Sequence, residues 1–359
     1  MSVCRYEDVR NRFRCPETAG AASPWCFWHD PERPKARDAI EKAIADRRNL
    51  TGAWLEGADL AGANLENACL YGAVLRFAKL DKARLCRADL RYADLARASL
   101  EEADLSDALL EGGSLNGAVL RKAALRYANL SGAALKGADL AGADLLSALF
   151  QRADLTGCRL PLAGAGLADF SRAVLRGARL EAADLSGASL AGADLRGADL
   201  RGLRIDRATR FQSVQYDRTT RFAGIDTSAI DPGQAPVLLR DIRDAQFLAE
   251  YEKTHPHLYR LWKTTSDCGR SLRRWLLVYA AAAVLFGAIR AAAPGLAEGA
   301  GGPTERFLDA SIRLISLGAR APAATGAAGR ALLFAESAAA YALFAGFLSI
   351  LFHKLARRG

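Results

Sequence analysis

Cysteine is sparse in this chain of 359 residues, which contains seven of them. So few cysteines exclude a disulfide-rich secreted scaffold. The chain begins MSVCRYEDVR, a charged stretch with no apolar run behind it. We therefore predict no signal peptide and place the N-terminal part in a reducing cytosol. A nucleophile–base set, a phosphate-binding loop and an open metal site are also missing, which predicts that the protein is not an enzyme.

Apolar residues make up 51% of the chain, and in its middle part they are periodic. Every fifth residue from Leu50 to Ile205 is large and apolar except Ala165, and leucine fills 28 of these 32 positions. Two residues before each of them lies a second register, from Ala53 to Leu203, in which 28 of 31 positions are alanine. A period of five matches neither an α-helix nor a flat strand.

This period fits a coil of square cross-section, with one five-residue side per repeat. The leucine and the alanine point inward, because a larger residue at the small position would overpack a narrow interior. The consensus A-[DN]-L-x-x resembles the pentapeptide-repeat family. The resemblance implies a right-handed quadrilateral β-helix, with about eight coils over 50–205 and a rod about 37 Å long at a spacing of about 4.8 Å. Within PLAGAG at 161–166, Ala165 underfills an inner position, which predicts a loosened corner.

The positive charge of the chain lies outside the repeat. The net charge is +9, yet acidic and basic residues cancel over 50–205, leaving +2 in 1–49 and +7 in 206–359. Some pentapeptide-repeat proteins mimic DNA and inhibit topoisomerases, which requires an acidic surface. A neutral rod is a poor phosphate mimic, so DNA mimicry is the least favoured function and we expect no nucleic-acid partner. A spacer or docking rod fits better, since a solenoid offers surface.

The N-terminal segment 1–33 holds a candidate zinc site with the spacing C-x10-C-x10-C-x2-H. Its four potential ligands are Cys4, Cys15, Cys26 and His29. Three thiolates and one imidazole suit tetrahedral Zn²⁺, and four protein ligands indicate a structural ion. A short segment of this kind gains folding energy from metal. The alternative is a set of unligated thiols. Residues 34–49 are predicted to form a helix that caps the first coil.

Helices and two apolar stretches are predicted after the repeat. Closing turns complete the 50–222 repeat domain, and 223–269 is a linker with helices over 237–253 and 256–265. The apolar stretches, at 275–293 and 331–352, are long enough for membrane spans. Arginine and lysine lie just before the first stretch and just after the second, so the positive-inside rule places both termini in the cytoplasm. The alternative is a pair of buried helices in a soluble domain.

The segment between the apolar stretches predicts a pore. Residues 304–316 suggest an amphipathic helix too short to span, and irregular backbone is tolerated at membrane depth only where it lines a cavity or is buried. A span, a re-entrant helix and a second span form the pore unit of a two-span channel. Residues 270–359 are therefore predicted to be an all-α pore domain, and the protein a homotetramer.

The order of motifs resembles bacterial pentapeptide-repeat proteins that end in a two-span, potassium-channel-like pore domain. The resemblance rests on CFWHDP at 26–31, the A-D-L-x-x rod, HP at 255–256, TSD at 265–267 and LARR at 355–358. It implies a tetrameric ion channel of a bacterial inner membrane, in contact with lipid and inorganic ions. The cytosolic rods would dock a protein partner or gate the pore.

The filter of this resemblance is degenerate. Potassium channels carry T-[VL]-G-[YF]-G-D, and the matching positions here are Ser316, Leu317, Gly318, Ala319 and Arg320. The aromatic residue, the second glycine and the aspartate are missing, and four copies of the arginine would repel cations at the mouth. This argues against potassium selectivity, which needs a ring of stacked carbonyl sites. The alternative function is a non-conducting, membrane-anchored scaffold.

Two more residues belong to the predicted pore. Glu336 lies one turn into the second apolar stretch, where an ionisable group is normally paired. Its expected partner is Arg320 or Arg330, and the resemblance implies a place behind the filter, as its support. The alternative is a direct ion-coordinating role. Gly346 is a candidate gating hinge, with close helix packing as the alternative reading.

Overall fold

The computed structural model describes residues 3–10, 13–19, 24–266 and 272–292, together with residues 335, 338 and 339. The chain divides into two compact units, Met1–Gln246 and Phe247–Gly359. The first unit contains the repeat and the N-terminal cysteines. The second begins within the first helix after the repeat and contains the helices that follow it.

A four-sided β-helix is the main feature of the first unit. The residue before each inner leucine forms a parallel bridge with the residue one coil further on, twenty positions along the chain over most of the repeat. Four rows of such bridges run along the coils, and they begin at Asn49, Trp54, Asp59 and Asn64. The structure thus confirms the β-helix predicted from the five-residue period. Its right-handed sense stays a prediction.

The interior of the five-residue repeat is filled by the two inner registers. The inner leucines from Leu50 to Leu200 and nearly all of the inner alanines are almost completely buried, whereas Ala58 is partly buried. Phe150 and Phe170 replace two leucines in one inner column, and their rings stack with centroids 4.9 Å apart. Tight apolar packing of this kind is continuous from the first coil to the last, so the coils form a single core.

Aspartate or asparagine before an inner leucine closes the corner turn that follows. The Oδ1 of Asp94 accepts a hydrogen bond from the amide of Ala96 at 3.1 Å, and Asp139 does the same for Ala141 at 3.2 Å. A residue with positive φ follows in each of these turns, such as Arg97 at 59°. The five-residue period identified the inward positions and did not indicate this hydrogen bond. Their capping role explains why the consensus has Asp or Asn there.

The prediction of a loosened corner at 161–166 is wrong. The bridge row runs without a break from Asp144 through Gly164 to Asp184. The amide of Ala165 donates to the carbonyl of Asp184 at 2.7 Å, as the leucines do at other coils. The physical reason is that the backbone ladder does not need a large side chain at every inner position, and Phe170 adds volume to the same coil.

A different repeat ends the β-helix. The sequences DRATRF at 206–211 and DRTTRF at 217–222 lie eleven residues apart, and the bridge spacing lengthens from 20 to 21 and 22 residues over this region. The Thr220 hydroxyl accepts from the amide of Asp217 at 3.1 Å and donates to the carbonyl of Leu195 at 3.0 Å. Thr209 makes the equivalent bonds one unit earlier. Each buried threonine therefore ties a closing turn to the coil before it.

Helices lie at both ends of the β-helix. At the N-terminal end, α1 (Arg37–Ala45) buries Ile40 and Ala43. At the other end, α2 (Pro236–Thr254) follows a short 3-10 turn, Thr227–Ala229, and buries Leu238, Leu239 and Ile242. Both helices present apolar residues at helical spacing to the ends of the coils.

Two further helices belong to the second unit. The helix α3 (Pro256–Ser266) begins at a proline, which is favoured in the first turn and ends α2 just before it. The helix α4 (Leu272–Ala292) packs against α3. Helices α2 and α3 coincide with the two linker helices predicted from the sequence.

The first predicted membrane span, at 275–293, falls on α4. Of the helices within the described residues, none has both the length and the apolar character needed to cross a bilayer. This finding does not support the predicted span.

The remaining pore predictions lie outside the described residues. They are the pore helix at 304–316, the second span at 331–352 apart from residues 335, 338 and 339, Glu336, Gly346 and the filter positions 316–320.

The closing threonines supply a test of the fold. Replacing Thr220 with valine keeps the side-chain shape but leaves the carbonyl of Leu195 without its partner. We expect Thr220→Val to lower the free energy of unfolding by about 2 kcal/mol. The measurement is urea unfolding of the full chain followed by circular dichroism. The control is Thr219→Val, because Thr219 is exposed and bonds only within its own turn. Equal losses in both variants would contradict the assignment.

Candidate metal centre

The first two candidate ligands come from neighbouring strands of an N-terminal hairpin. Strands β1 (Glu7–Asp8) and β2 (Phe13–Arg14) pair antiparallel. The same pairing continues on one side of the hairpin, where the amide of Cys15 donates to the carbonyl of Tyr6 and that of Cys4 to the carbonyl of Glu17. The hairpin therefore brings two thiols together although they are eleven residues apart in the chain.

The other two candidate ligands come from one tight turn. The amides of His29 and Asp30 both donate to the carbonyl of Cys26, at 3.2 and 3.1 Å. A helical turn of this kind places residues three apart on the same side. The C-x2-H spacing in the sequence thus becomes a pair of ligand atoms, Cys26 Sγ and His29 Nδ1, that lie 3.1 Å apart.

The four ligand atoms form a compact buried cluster. All of them lie within 4.8 Å of one another. Cys15 Sγ is 3.7 Å from Cys26 Sγ, and Cys4 Sγ is 3.5 Å from His29 Nδ1. Sulfur atoms bound to one tetrahedral zinc ion, at about 2.3 Å each, would be about 3.8 Å apart. The donor set and its dimensions therefore fit zinc, and the sequence prediction of these four residues as one cluster agrees with the geometry.

The orientation of His29 favours ligation through Nδ1. Its Nε2 lies 2.7 Å from the carbonyl oxygen of Thr51 and donates to it. That bond leaves Nδ1 without a proton and facing the sulfur atoms. The ring of Tyr6 stacks on the imidazole with centroids 4.0 Å apart and an angle of 4°. Both contacts orient the imidazole, and the sequence pattern alone indicated neither.

Burial controls the protonation of the cluster in the absence of a cation. It raises the pKa of Cys15 to about 12, and it also raises the pKa of Cys26 and lowers that of His29. These directions favour the protonated thiols of Cys15 and Cys26 and the neutral imidazole of His29. A divalent cation at its centre offsets the cost of burying thiolates, so metal binding is coupled to loss of thiol protons.

The cluster is joined directly to the first coil. Thr51, which accepts from the imidazole, belongs to that coil, and the amide of Trp54 donates to the carbonyl of Trp28 at 2.8 Å. Tyr6 covers Gly52, where an added Cβ would lie 1.8 Å from the tyrosine ring. The φ of Gly52 is also +67°, so both space and backbone require glycine there. The Cys/His cluster is therefore part of the N-terminal end of the β-helix.

Comparison with known families identifies the repeat. The sequence profile described as pentapeptide repeats matches eight copies, over 49–76, 68–107, 103–140, 128–163 and 167–202. The chain belongs to the pentapeptide repeat family. No curated protein matches it. The profile covers the β-helix of this pentapeptide repeat protein and none of the cysteine cluster or the later helices.

Solved structures give similarities to the β-helix. One is HetL, a pentapeptide repeat protein involved in heterocyst differentiation regulation from the cyanobacterium Nostoc sp. strain PCC 7120. HetL is 30% identical to this chain, and the match covers 54% of this chain and 95% of HetL with a TM-score of 0.28. A trypsin-treated form of QnrB1, a plasmid-mediated fluoroquinolone resistance protein, is 19% identical, with 51% and 95% covered and a TM-score of 0.27. Rfr23 from the cyanobacterium Cyanothece 51142 is 23% identical, with 51% and 97% covered and a TM-score of 0.15.

Elemental analysis of the purified full chain tests the metal centre. We expect one zinc ion per chain in the wild type, and at least a ~10-fold weaker zinc affinity in Cys26→Ser because a ligand is lost. The matched control is Cys69→Ser. Cys69 lies in the first bridge row and contacts Asn49 and Thr51, outside the cluster. A wild-type protein without zinc, or equal loss in both variants, would exclude the assignment.

Proposed function

We propose that this pentapeptide repeat protein is a non-enzymatic docking scaffold. A structural zinc ion held by Cys4, Cys15, Cys26 and His29 would stabilise its N-terminal end, and a cytosolic protein would bind the sides of its β-helix. The observation that carries the proposal is the continuity of the bridge rows from Asn49 to Arg221. They hold the outward side chains in fixed rows, and successive side chains in one row lie about 4.8 Å apart. Such rows form a preformed binding surface.

Ion pairs between coils add to the rigidity of this surface. The carboxylate of Asp194 contacts Arg196 at 2.6 Å and Arg176, one coil away, at 2.5 Å. These arginines hold the pKa of Asp194 well below its usual range. Arg201 and Arg221 surround Asp199 in the same way. Such networks keep side chains in place, and this ordering lowers the entropic cost of binding a partner.

The same ion pairs argue against DNA mimicry. A phosphate mimic needs rows of unpaired carboxylates, whereas many carboxylates of this β-helix contact arginine or lysine. Examples are Glu66 with Arg84 at 3.0 Å and Asp154 with Lys136 at 3.2 Å. Because the repeat is also electrically neutral, we propose that its partner is a protein and that the β-helix neither binds nor mimics nucleic acid.

Photo-crosslinking from each side of the β-helix tests the scaffold. A photoreactive phenylalanine analogue would replace Asn116, Lys122, Tyr127 or Arg152, one at a time, in the full chain expressed in its own host. These residues lie at four different outward columns. We expect one discrete protein adduct from one or two of these positions. Adducts from none of them, in chains that retain zinc and the fold, would contradict the proposal.

A membrane ion channel is the second candidate function. The observation that favours it is the set of apolar side chains on α4 that are more than half exposed, namely Leu276, Leu277, Val284 and Leu285. Such exposure is unfavourable in water and suits a lipid or protein contact. On this reading the protein is a homotetramer in a bacterial inner membrane, with Ser316, Leu317, Gly318, Ala319 and Arg320 at its filter, Glu336 as the filter support and Gly346 as the gating hinge.

Ion flux decides between the two candidates. The full chain would be reconstituted in liposomes under separate K⁺, Na⁺ and Cl⁻ gradients, beside Arg320→Ala. For a channel we expect flux that changes selectivity when the four mouth charges are removed. The control is Lys122→Ala in the repeat domain, because Lys122 lies on an exposed corner. Gly113→Ala is unsuitable as a control, because a Cβ at Gly113 would lie against backbone oxygens. Absence of flux from a confirmed tetramer would eliminate the channel and leave the scaffold.

A further inference from the structure

One face of the first hairpin strand lies along a corner of the β-helix. Side chains two residues apart on a strand point the same way. Tyr6 fills the space above Gly52, and the Asp8 carboxylate lies 3.4 Å from the position of a Cβ added to Gly72. Glu7, between them, is exposed. Since the two glycines occupy the same corner in successive coils, the hairpin extends from the Cys/His cluster along the side of the β-helix.

The same strand ends over a pair of tyrosines. The guanidinium of Arg10 lies 5.1 Å from the ring centre of Tyr92, which occupies this corner in the third coil. The rings of Tyr71 and Tyr92 are 5.4 Å apart, and the guanidinium of Arg91 lies 5.5 Å from the ring of Tyr71. Tyr92 is 43% exposed, whereas Tyr71 is only 7% exposed. We call the surface under the hairpin the covered corner, and its residues are Gly52, Tyr71, Gly72 and Tyr92.

Contacts beyond the cluster hold the hairpin only weakly on the second and third coils. Its strands, Glu7–Asp8 and Phe13–Arg14, pair over two residues each, and a two-stranded hairpin is marginally stable by itself in water. Its contact with the third coil is a cation–π contact, which stabilises little at an exposed site. By contrast, Cys4 and Cys15 each attach one arm of the hairpin to the four-ligand cluster. The cluster is thus the main anchor of the hairpin.

The coils under the covered corner make their own hydrogen bonds without the hairpin. The amide of Gly72 donates to the carbonyl of Arg91 at 2.8 Å, and the amide of Tyr92 donates to the carbonyl of Glu111 at 2.9 Å. Both acceptors belong to the next coil. Because each coil of a solenoid depends on its neighbours, the loss of a contact at one end need not unfold the rest. The hairpin can therefore leave the covered corner while the β-helix stays folded.

We propose that the N-terminal hairpin is a zinc-controlled cover of this corner. With zinc on the four ligands, the hairpin lies over Tyr71; when the zinc is lost, the hairpin leaves and Tyr71 becomes exposed while the coils remain folded. The inference rests on the zinc centre of the function proposed above and adds a regulatory role to it. Zinc occupancy then determines whether this part of the surface of the β-helix is accessible.

Hydroxyl-radical footprinting of the full chain tests the cover, because the oxidation rate of a tyrosine side chain follows its exposure to solvent. Mass spectrometry would compare the zinc-loaded protein, the chelator-treated protein and the treated protein after zinc is added back. We expect chelation to raise the oxidation rate of Tyr71 at least ~3-fold and added zinc to reverse the change. Tyr127, which is 58% exposed in a later coil, is the internal reference and should keep its rate.

Three variants separate the loss of zinc from other effects of the chelator. Cys26→Ser removes a ligand that lies outside the hairpin, so its Tyr71 should react with zinc present as it does in the chelated wild type. The matched control is Cys86→Ser, because Cys86 belongs to the repeat and lies outside the cluster. Arg10→Ala removes only the last contact of the strand. With zinc bound, it should raise the oxidation of Tyr92 and leave Tyr71 protected.

Hydrogen exchange of the same samples reports whether the β-helix stays folded, and amides over 75–200 should keep their protection without zinc. Unchanged Tyr71 oxidation after chelation, loss of protection throughout the β-helix, or failure of added zinc to restore the cover would each overturn the inference. A wild-type protein without zinc would remove both the metal centre and the cover. If zinc is bound and only the cover fails, the docking scaffold is unaffected, because photo-crosslinking tests it independently.

Discussion

The narrow interior of the coil is the constraint on which the rest of this structure depends. Each side has room for one large and one small side chain, and both are buried almost completely from the first coil to the last. Once the leucines stack, the backbone hydrogen bonds are placed as well: the amide of Leu95 donates to Ser114 of the next coil at 2.7 Å, and the amide of Ala98 donates back to Leu95 at 3.0 Å. Side-chain volume therefore determines the period, the bridge rows and the positions of outward residues.

A stack of coils has two open ends, and this protein closes them by different means. An uncovered end would leave backbone donors, acceptors and apolar core in water. At the N-terminal end a hairpin, a turn and four ligand atoms are joined to the first coil through Thr51 and Trp54. At the other end the coil is widened by an eleven-residue unit, whose threonines bond to preceding carbonyls before α2 covers the core. The hairpin with its Cys/His cluster at one end, and the buried hydroxyls at the other, thus take the place of neighbouring coils.

Because the interior is uniform, the differences between coils lie outside. Near the N-terminal end the surface has aromatic rings with arginines over them, as at Tyr71 with Arg91 and Tyr92 with Arg10. Further along, exposed leucines and carboxylates replace them. Towards the other end arginine pairs dominate, around Asp194 for example. The docking function proposed above would therefore depend on residues that the core neither requires nor restricts.

Much of this protein could be predicted from sequence, because its strongest signals are local and repeated. The five-residue period needs no knowledge of the tertiary structure, since each repeat contacts only its neighbours. The spacing of Cys26 and His29 likewise identifies one turn. The position of an outward aspartate was visible, but its hydrogen bond to its own corner was not. The conformation of 161–166 was misjudged because side-chain volume was considered without the backbone ladder.

Tertiary structure decided what depends on pairs of residues distant in the chain. The imidazole of His29 is oriented by Thr51 and Tyr6, and the space above Gly52 is filled by a ring from the hairpin. The bridges from Asp144 to Gly164 and on to Asp184 likewise bring together segments twenty residues apart. Periodicity reports which residues point inward, since burial repeats at a constant interval. Contacts between a repeat and what lies outside it have no period, and only the folded coordinates place them.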